Sequence, residues 1–122
     1  MKIEGTRTSP FVSIENGNFE IKGKSIPEDP HEFYSPILHV IQEYLKNPYK
    51  NTVLRFQLDY INSGSKKYLI NILLSFNEFY LRGNDVKIFW HYEMDDDSIL
   101  DLGNDLRSMI RIPFQLIEVK TE

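Results

Sequence analysis

The stretch Thr52-Val53-Leu54-Arg55-Phe56-Gln57-Leu58-Asp59-Tyr60-Ile61, running directly into Asn62-Ser63-Gly64-Ser65-Lys66-Lys67, decides the fold of this chain. In its first part apolar and polar side chains alternate. Leu54, Phe56, Leu58 and Tyr60 point one way, and Arg55, Gln57 and Asp59 the other. That period of two predicts a strand with one face in a core and one face in water. The second part is rich in small and hydroxyl residues and predicts a helix start. From Ser65 to Arg82, Leu69, Ile72, Leu73, Phe76, Phe79 and Tyr80 fall on one helical stripe, which closes at Gly83-Asn84. Val86–Glu93 then repeats the strand pattern, with Val86, Ile88, Trp90 and Tyr92 opposite Lys87, His91 and Glu93.

Working outward from this centre, Pro10–Ile14 and Phe19–Lys24 are strand-like runs separated by Glu15-Asn16-Gly17-Asn18. Asn-Gly tolerates the positive φ of a tight primed turn, so these runs predict a hairpin. After Pro27-Glu28-Asp29-Pro30, a helix is predicted to about Lys46, with Phe33, Ile37, Val40, Ile41, Tyr44 and Leu45 at the helical period. Pro36 lies inside it. Either the first turn stands apart, or Ser35 caps a helix that has Pro36 at its first position. A third helix is predicted over Ser98–Met109 and a last strand over Pro113–Lys120. The order β-β-α-β-α-β-α-β implies parallel pairing through right-handed crossovers. Strands buried on both faces read as continuous apolar runs, and these do not. The expected fold is therefore an α/β two-layer sandwich, a mixed sheet of about five strands with helices on one face. A doubly wound nucleotide fold is excluded. Most aromatic residues fall on the inward stripes; Tyr34, Tyr49 and Tyr68 fit them least well and read as surface contacts.

Composition sets outer bounds. The 122 residues carry 14 Lys and Arg against 18 Asp and Glu, a formal net charge of −4, where a general nucleic-acid binder would show a basic surplus. With no cysteine, disulfide scaffolds, zinc–thiolate sites and cysteine nucleophiles drop out together. The start, Met1-Lys2-Ile3-Glu4-Gly5-Thr6-Arg7, has no apolar signal region, and no run approaches the roughly 20 apolar residues of a membrane span. The expectation is one cytoplasmic domain over residues 1–122, with residues 1–7 loose.

The Asp59–Lys67 turn is the most informative place for function. Ligand sites in open α/β sheets favour the carboxyl ends of strands. Here such an end meets a helix N-terminus with unpaired N–H groups and a field favourable to anions. A phosphate suits the turn either as a ligand or covalently on Ser63 or Ser65, where it brings nearly two negative charges. Capping by Ser, Asn and Gly is the competing structural explanation of the same residues. The glycine spacing of a P-loop is missing.

The order of elements resembles the STAS-like fold of anti-sigma-factor antagonists, in which a serine followed by glycine at this turn is phosphorylated by a partner kinase. More specifically, the chain resembles the SiaC family of bacterial regulatory phosphoproteins. Gly23-Lys24-Ser25-Ile26-Pro27-Glu28 is similar to that family's Gly-x-Ser-x-Pro-Glu, and Leu58–Lys67 to its Leu-x-Tyr-x-Asn-Thr-Ser-Ser-x-Lys. Trp90-His91-Tyr92, Asp95-Asp96-Asp97, Gly103 and Pro113-Phe114 follow in the family's order. The resemblance implies a phospho-acceptor at Ser63, with Ser65 as the alternative, and a partner-binding surface of Asn62, Gly64, Ser65, Lys66, Lys67, Asp95, Asp96 and Asp97. It also implies a protein kinase and a phosphatase acting on the turn, and an effector such as a diguanylate cyclase. Two departures stand out: Ser63 replaces the family threonine, and Gly64 replaces a serine, which is expected to loosen the turn. The function expected is a non-enzymatic, phosphorylation-switched binding module without a cofactor.

Rival readings rest on other residues. A constitutive interaction adaptor, with the turn serines only capping, needs no phosphate. Glu93, Asp95, Asp96, Asp97 and Asp101 form an acidic cluster from which a small metal-dependent hydrolase can be drawn. The EF-hand pattern fails there, and capping by Asp97 accounts for the acids. His31, His39 and His91 are too scattered to form a ligand set. A Ser63, His91, Asp95 triad lacks the Gly-x-Ser-x-Gly elbow.

Overall fold

The computed structural model describes residues 1–120. Its elements are β1 (Lys2–Ile3), β2 (Phe11–Glu15), β3 (Asn18–Ser25), α1 (Pro30–Lys46), β4 (Asn51–Ile61), α2 (Ser63–Leu81), β5 (Asp85–Glu93), α3 (Asp97–Met109) and β6 (Phe114–Val119). The strands form one six-stranded sheet in chain order. β1, β2 and β3 pair antiparallel, and β3 to β6 pair parallel. The mixed sheet with helices over one face is as expected. The sixth strand corrects the count of five. Lys2–Ile3, expected to be loose, pairs with Val12 and Ser13, and the terminal ammonium donates to the Ile14 carbonyl at 3.0 Å.

Local chemistry fixes the pieces. Asn16 and Gly17 have φ of 52° and 83° between the paired residues Glu15 and Asn18, the primed turn that matches strand twist. In α1 the cap is Asp29, whose Oδ1 accepts from Glu32 N–H at 3.0 Å, with Pro30 opening the helix. The helix runs unbroken through Pro36, so neither reading of that residue holds. Pro36 is exposed, which leaves the freed Glu32 carbonyl to water.

The core lies between the sheet and the three helices. Trp90 and Phe76 are fully buried, with Leu54, Phe56, Ile88, Leu69, Leu73, Ile37 and Ile41 around them. Each such side chain contributes about 1.5–3 kcal/mol of transfer free energy. Trp90 also has its one polar atom satisfied, since Nε1 donates to the Ile99 carbonyl of α3 at 2.9 Å. Gly103 brings α3 onto that indole; a Cβ there would stand 2.5 Å from Trp90 Cδ1. Tyr34, read as a surface contact, is fully buried instead. It stacks on Tyr68 with centroids 5.4 Å apart, and its hydroxyl is hydrogen-bonded to Ser25 Oγ. Burial pushes the Tyr34 phenol above its usual range, partly offset by that bond. Among the described residues no helix is long and apolar enough to cross a membrane.

Candidate functional site

The site is built where β4 ends and α2 begins. β4 pairs with β3 in register up to Gly23↔Leu58, after which the register shifts so that Lys24 meets Tyr60. The shift follows Gly23, whose φ of 103° a side chain would strain. It also breaks the alternation at the strand end. Tyr60, expected on the inward face, is 65% exposed.

Asn62 then starts the helix. Its Oδ1 accepts from Ser65 N–H at 2.9 Å, its Nδ2 donates to the Pro27 carbonyl at 3.3 Å, and its own N–H donates to the Ser25 carbonyl at 2.9 Å. Asn62 therefore does the capping for which the serines also qualified. Ser63, the first helical residue, is exposed, and its hydroxyl has no hydrogen-bond partner among the described residues. Ser65, two residues on, is fully buried, and its Oγ has no partner among the described residues. Lys66 and Lys67 are exposed, and α2 has no acid in its first turn. Gly64 lets α2 approach the N-terminus of α1, because a Cβ there would stand 2.8 Å from Pro30 Cγ.

Across from this turn lies the start of α3. Its cap is Asp96 rather than Asp97: Asp96 Oδ1 accepts from Ile99 N–H at 3.0 Å. Asp97 sits in the first turn, where the helix dipole favours it. Asp95 and Asp97 are exposed and Asp96 is half-buried. Between the two helix starts runs a groove of about 330 Å³ lined by Asp59, Tyr60, Ile61, Lys66, Asp96, Ser98, Ile99 and Leu102. The structure thus brings Lys66 of the turn and Asp96 of the acidic loop to one groove, whose lining does not include Asn62, Ser63, Gly64, Ser65, Lys67, Asp95 or Asp97. Asp59 and Tyr60 belong to the turn that the sequence points to without being named as contacts, and Ser98 and Leu102 join the site only through the fold. The signal for Tyr60 was Gly23, opposite the point where the register slips.

The other acids and histidines do not assemble into a site. Among the described residues, no group of three or more His, Asp or Glu gathers in a way that holds a metal ion. Nor does any hydrogen bond among those residues link Ser63, His91 and Asp95 into a triad. His91 lies on the open face of the sheet, where partial burial, and then the Arg55 guanidinium, lower its pKa.

Comparison with known proteins places this architecture. Residues 3–119 match the profile of the SiaC family, described as regulatory phosphoproteins. An uncharacterised protein of Pseudomonas aeruginosa (strain UCBPP-PA14) is 25% identical over 118 residues, 95% of this chain and 94% of that protein. In the crystal structure of the diguanylate cyclase SiaD in complex with its activator SiaC from Pseudomonas aeruginosa, one chain superposes with a TM-score of 0.93 at 24% identity. The match covers 98% of this chain and 99% of that one. The crystal structure of apo-SiaC from the same organism gives a TM-score of 0.88 at 25% identity, over 96% and 97% of the two chains. The chain belongs to the SiaC family of regulatory phosphoproteins.

Proposed function

We propose that this SiaC-family protein regulates a diguanylate cyclase by binding it, without chemistry of its own, and that phosphorylation of Ser63 releases the complex. The observation that carries the reading is the division of labour at the turn. Asn62 caps α2, so the exposed Ser63 hydroxyl is left free for a kinase at the start of a helix whose Lys66 lines the groove. Ser65, being fully buried, is the poorer acceptor. The cyclase contacts in this reading are Asn62, Gly64, Lys66 and Lys67 on one side and Asp95, Asp96 and Asp97 on the other. Ser65 supports that surface from below, and Tyr60 adds an exposed aromatic anchor of the kind that dominates interface energies.

The switch is electrostatic. A phosphate on Ser63 brings nearly two negative charges to the helix start three residues before Lys66, which lines the groove together with Asp59 and Asp96, on a surface that binding must desolvate. The resemblance of SiaC bound to SiaD supports the class of effector. A cytoplasmic protein kinase and phosphatase complete the cycle. The test is a binding assay with a diguanylate cyclase from the same organism. Wild type and Ser63→Ala are expected to bind alike, and Ser63→Asp at least tenfold more weakly. Equal binding by all three would refute the switch at this residue.

A further inference from the structure

The two edges of the sheet differ in how they end. β1 is two residues long and carries Lys2, so it offers almost nothing to a further strand. β6, Phe114–Val119, has the sequence Phe-Gln-Leu-Ile-Glu-Val. It holds no Pro and no Lys, and one charge, Glu118. Phe114, Leu116, Ile117 and Val119 are only partly buried. Such an edge is what soluble proteins usually cover or blunt.

The ladder shows which backbone groups are open. Ile88 N–H donates to the Pro113 carbonyl at 2.9 Å, and Ile88 pairs with Phe114. In a parallel ladder this turns the polar groups of residues 113, 115, 117 and 119 toward β5 and those of Phe114, Leu116 and Glu118 outward. No strand among the described residues pairs with that side.

We infer that β6 pairs antiparallel with β6 of a second copy, about a two-fold axis at Leu116, joining the two sheets into one. This inference is independent of the phosphorylation reading. The choice of a second copy follows from self-complementarity. With the axis at Leu116, Leu116 faces its own mate and Phe114 faces Glu118 of the other copy. All three residues then exchange both hydrogen bonds with their opposites. The strand's one charge lies opposite an aromatic ring rather than its own mate, so no like charges meet. On the open face, Gln115 faces Ile117. Because the pairing is isologous it closes at two copies. The antiparallel arrangement also sends the two Ser63 turns to opposite ends of the joined sheet, so one dimer presents two separate grooves.

The test is sedimentation equilibrium over a hundredfold range of concentration on wild type, Glu118→Pro and Ile117→Lys. Proline at 118 removes an outward N–H and leaves the β5 ladder intact. Lysine at 117 sets a charge diagonally across from its symmetry mate. Wild type is expected at twice the 14.4 kDa chain mass, with both variants shifted at least tenfold toward monomer at unchanged circular dichroism. If Glu118→Pro fails to fold, Ile117→Lys decides alone. A wild type that stays monomeric throughout, or a folded variant that dimerises as well as wild type, overturns the inference.

Discussion

Ser63→Asp is expected to weaken effector binding while making the protein more stable. Ser63 is the first residue of α2, exposed, with no acid in that first turn and with Lys66 and Lys67 three and four residues on. A carboxylate at this place gains about 0.3–1 kcal/mol from the helix dipole. Its spacing to the lysines adds about 0.2–0.5 kcal/mol. Both act on one exposed carboxylate and do not add in full, so the net gain is about 0.5–1 kcal/mol. With an unfolding entropy of about 2.1 cal/mol/K per residue, 122 residues give about 0.26 kcal/mol/K, so Tm rises by about 2–4 °C. Scanning calorimetry at low ionic strength reads this directly, and added salt shrinks the gain. Ser63→Ala leaves Tm in place, since the serine hydroxyl holds nothing. A lower Tm for Ser63→Asp would refute the reasoning, because release of the partner could then follow from damage to the fold rather than from charge on its surface.

Three further outcomes are expected. Gly103→Ala lowers stability by about 1–3 kcal/mol in a denaturant titration, although alanine favours helix, because its Cβ would meet Trp90 at 2.5 Å and Leu116 at 2.9 Å. Tyr34→Phe costs about 1–3 kcal/mol by leaving Ser25 Oγ buried and unpaired. The wild-type phenol titrates above its unfolded value near 10, so its share of stability is full below that pH and lost as pH rises through the raised pKa; Tyr34→Phe lacks this alkaline loss. His91 has its pKa lowered below 6.5 in the fold, so stability falls as pH drops from about 6.5 through the lowered value. His91→Gln flattens that slope in thermal scans between pH 7 and 5.

Much of this fold is written in alternation and stripes. Leu54, Phe56, Leu58, Val86, Ile88 and Trp90 all lie in the core as their period of two requires, and Asn16-Gly17 makes its hairpin. What escaped depends on partners distant in sequence. Lys2–Ile3 is too short to carry a period and becomes a strand only because β2 is there to pair with it. Tyr34 is off the apolar stripe by character, yet Ser25 and Tyr68 make a buried place for its ring and hydroxyl. Asp96 and Asp97 qualify equally as caps by residue type, and only the path of the chain into α3 selects Asp96. The Ser63 turn was legible as a helix start at a strand end. On the facing side of the groove only Asp96 was legible, through the family resemblance, because Ser98 and Leu102 reach it through tertiary packing.

The most direct test is intact-mass analysis with site mapping on protein isolated from its native host. The expected result is a fraction carrying one phosphate, placed on Ser63, and a diguanylate cyclase copurifying with the unmodified fraction alone. A chain unmodified under every growth condition, or a phosphate mapped away from this turn, would contradict it.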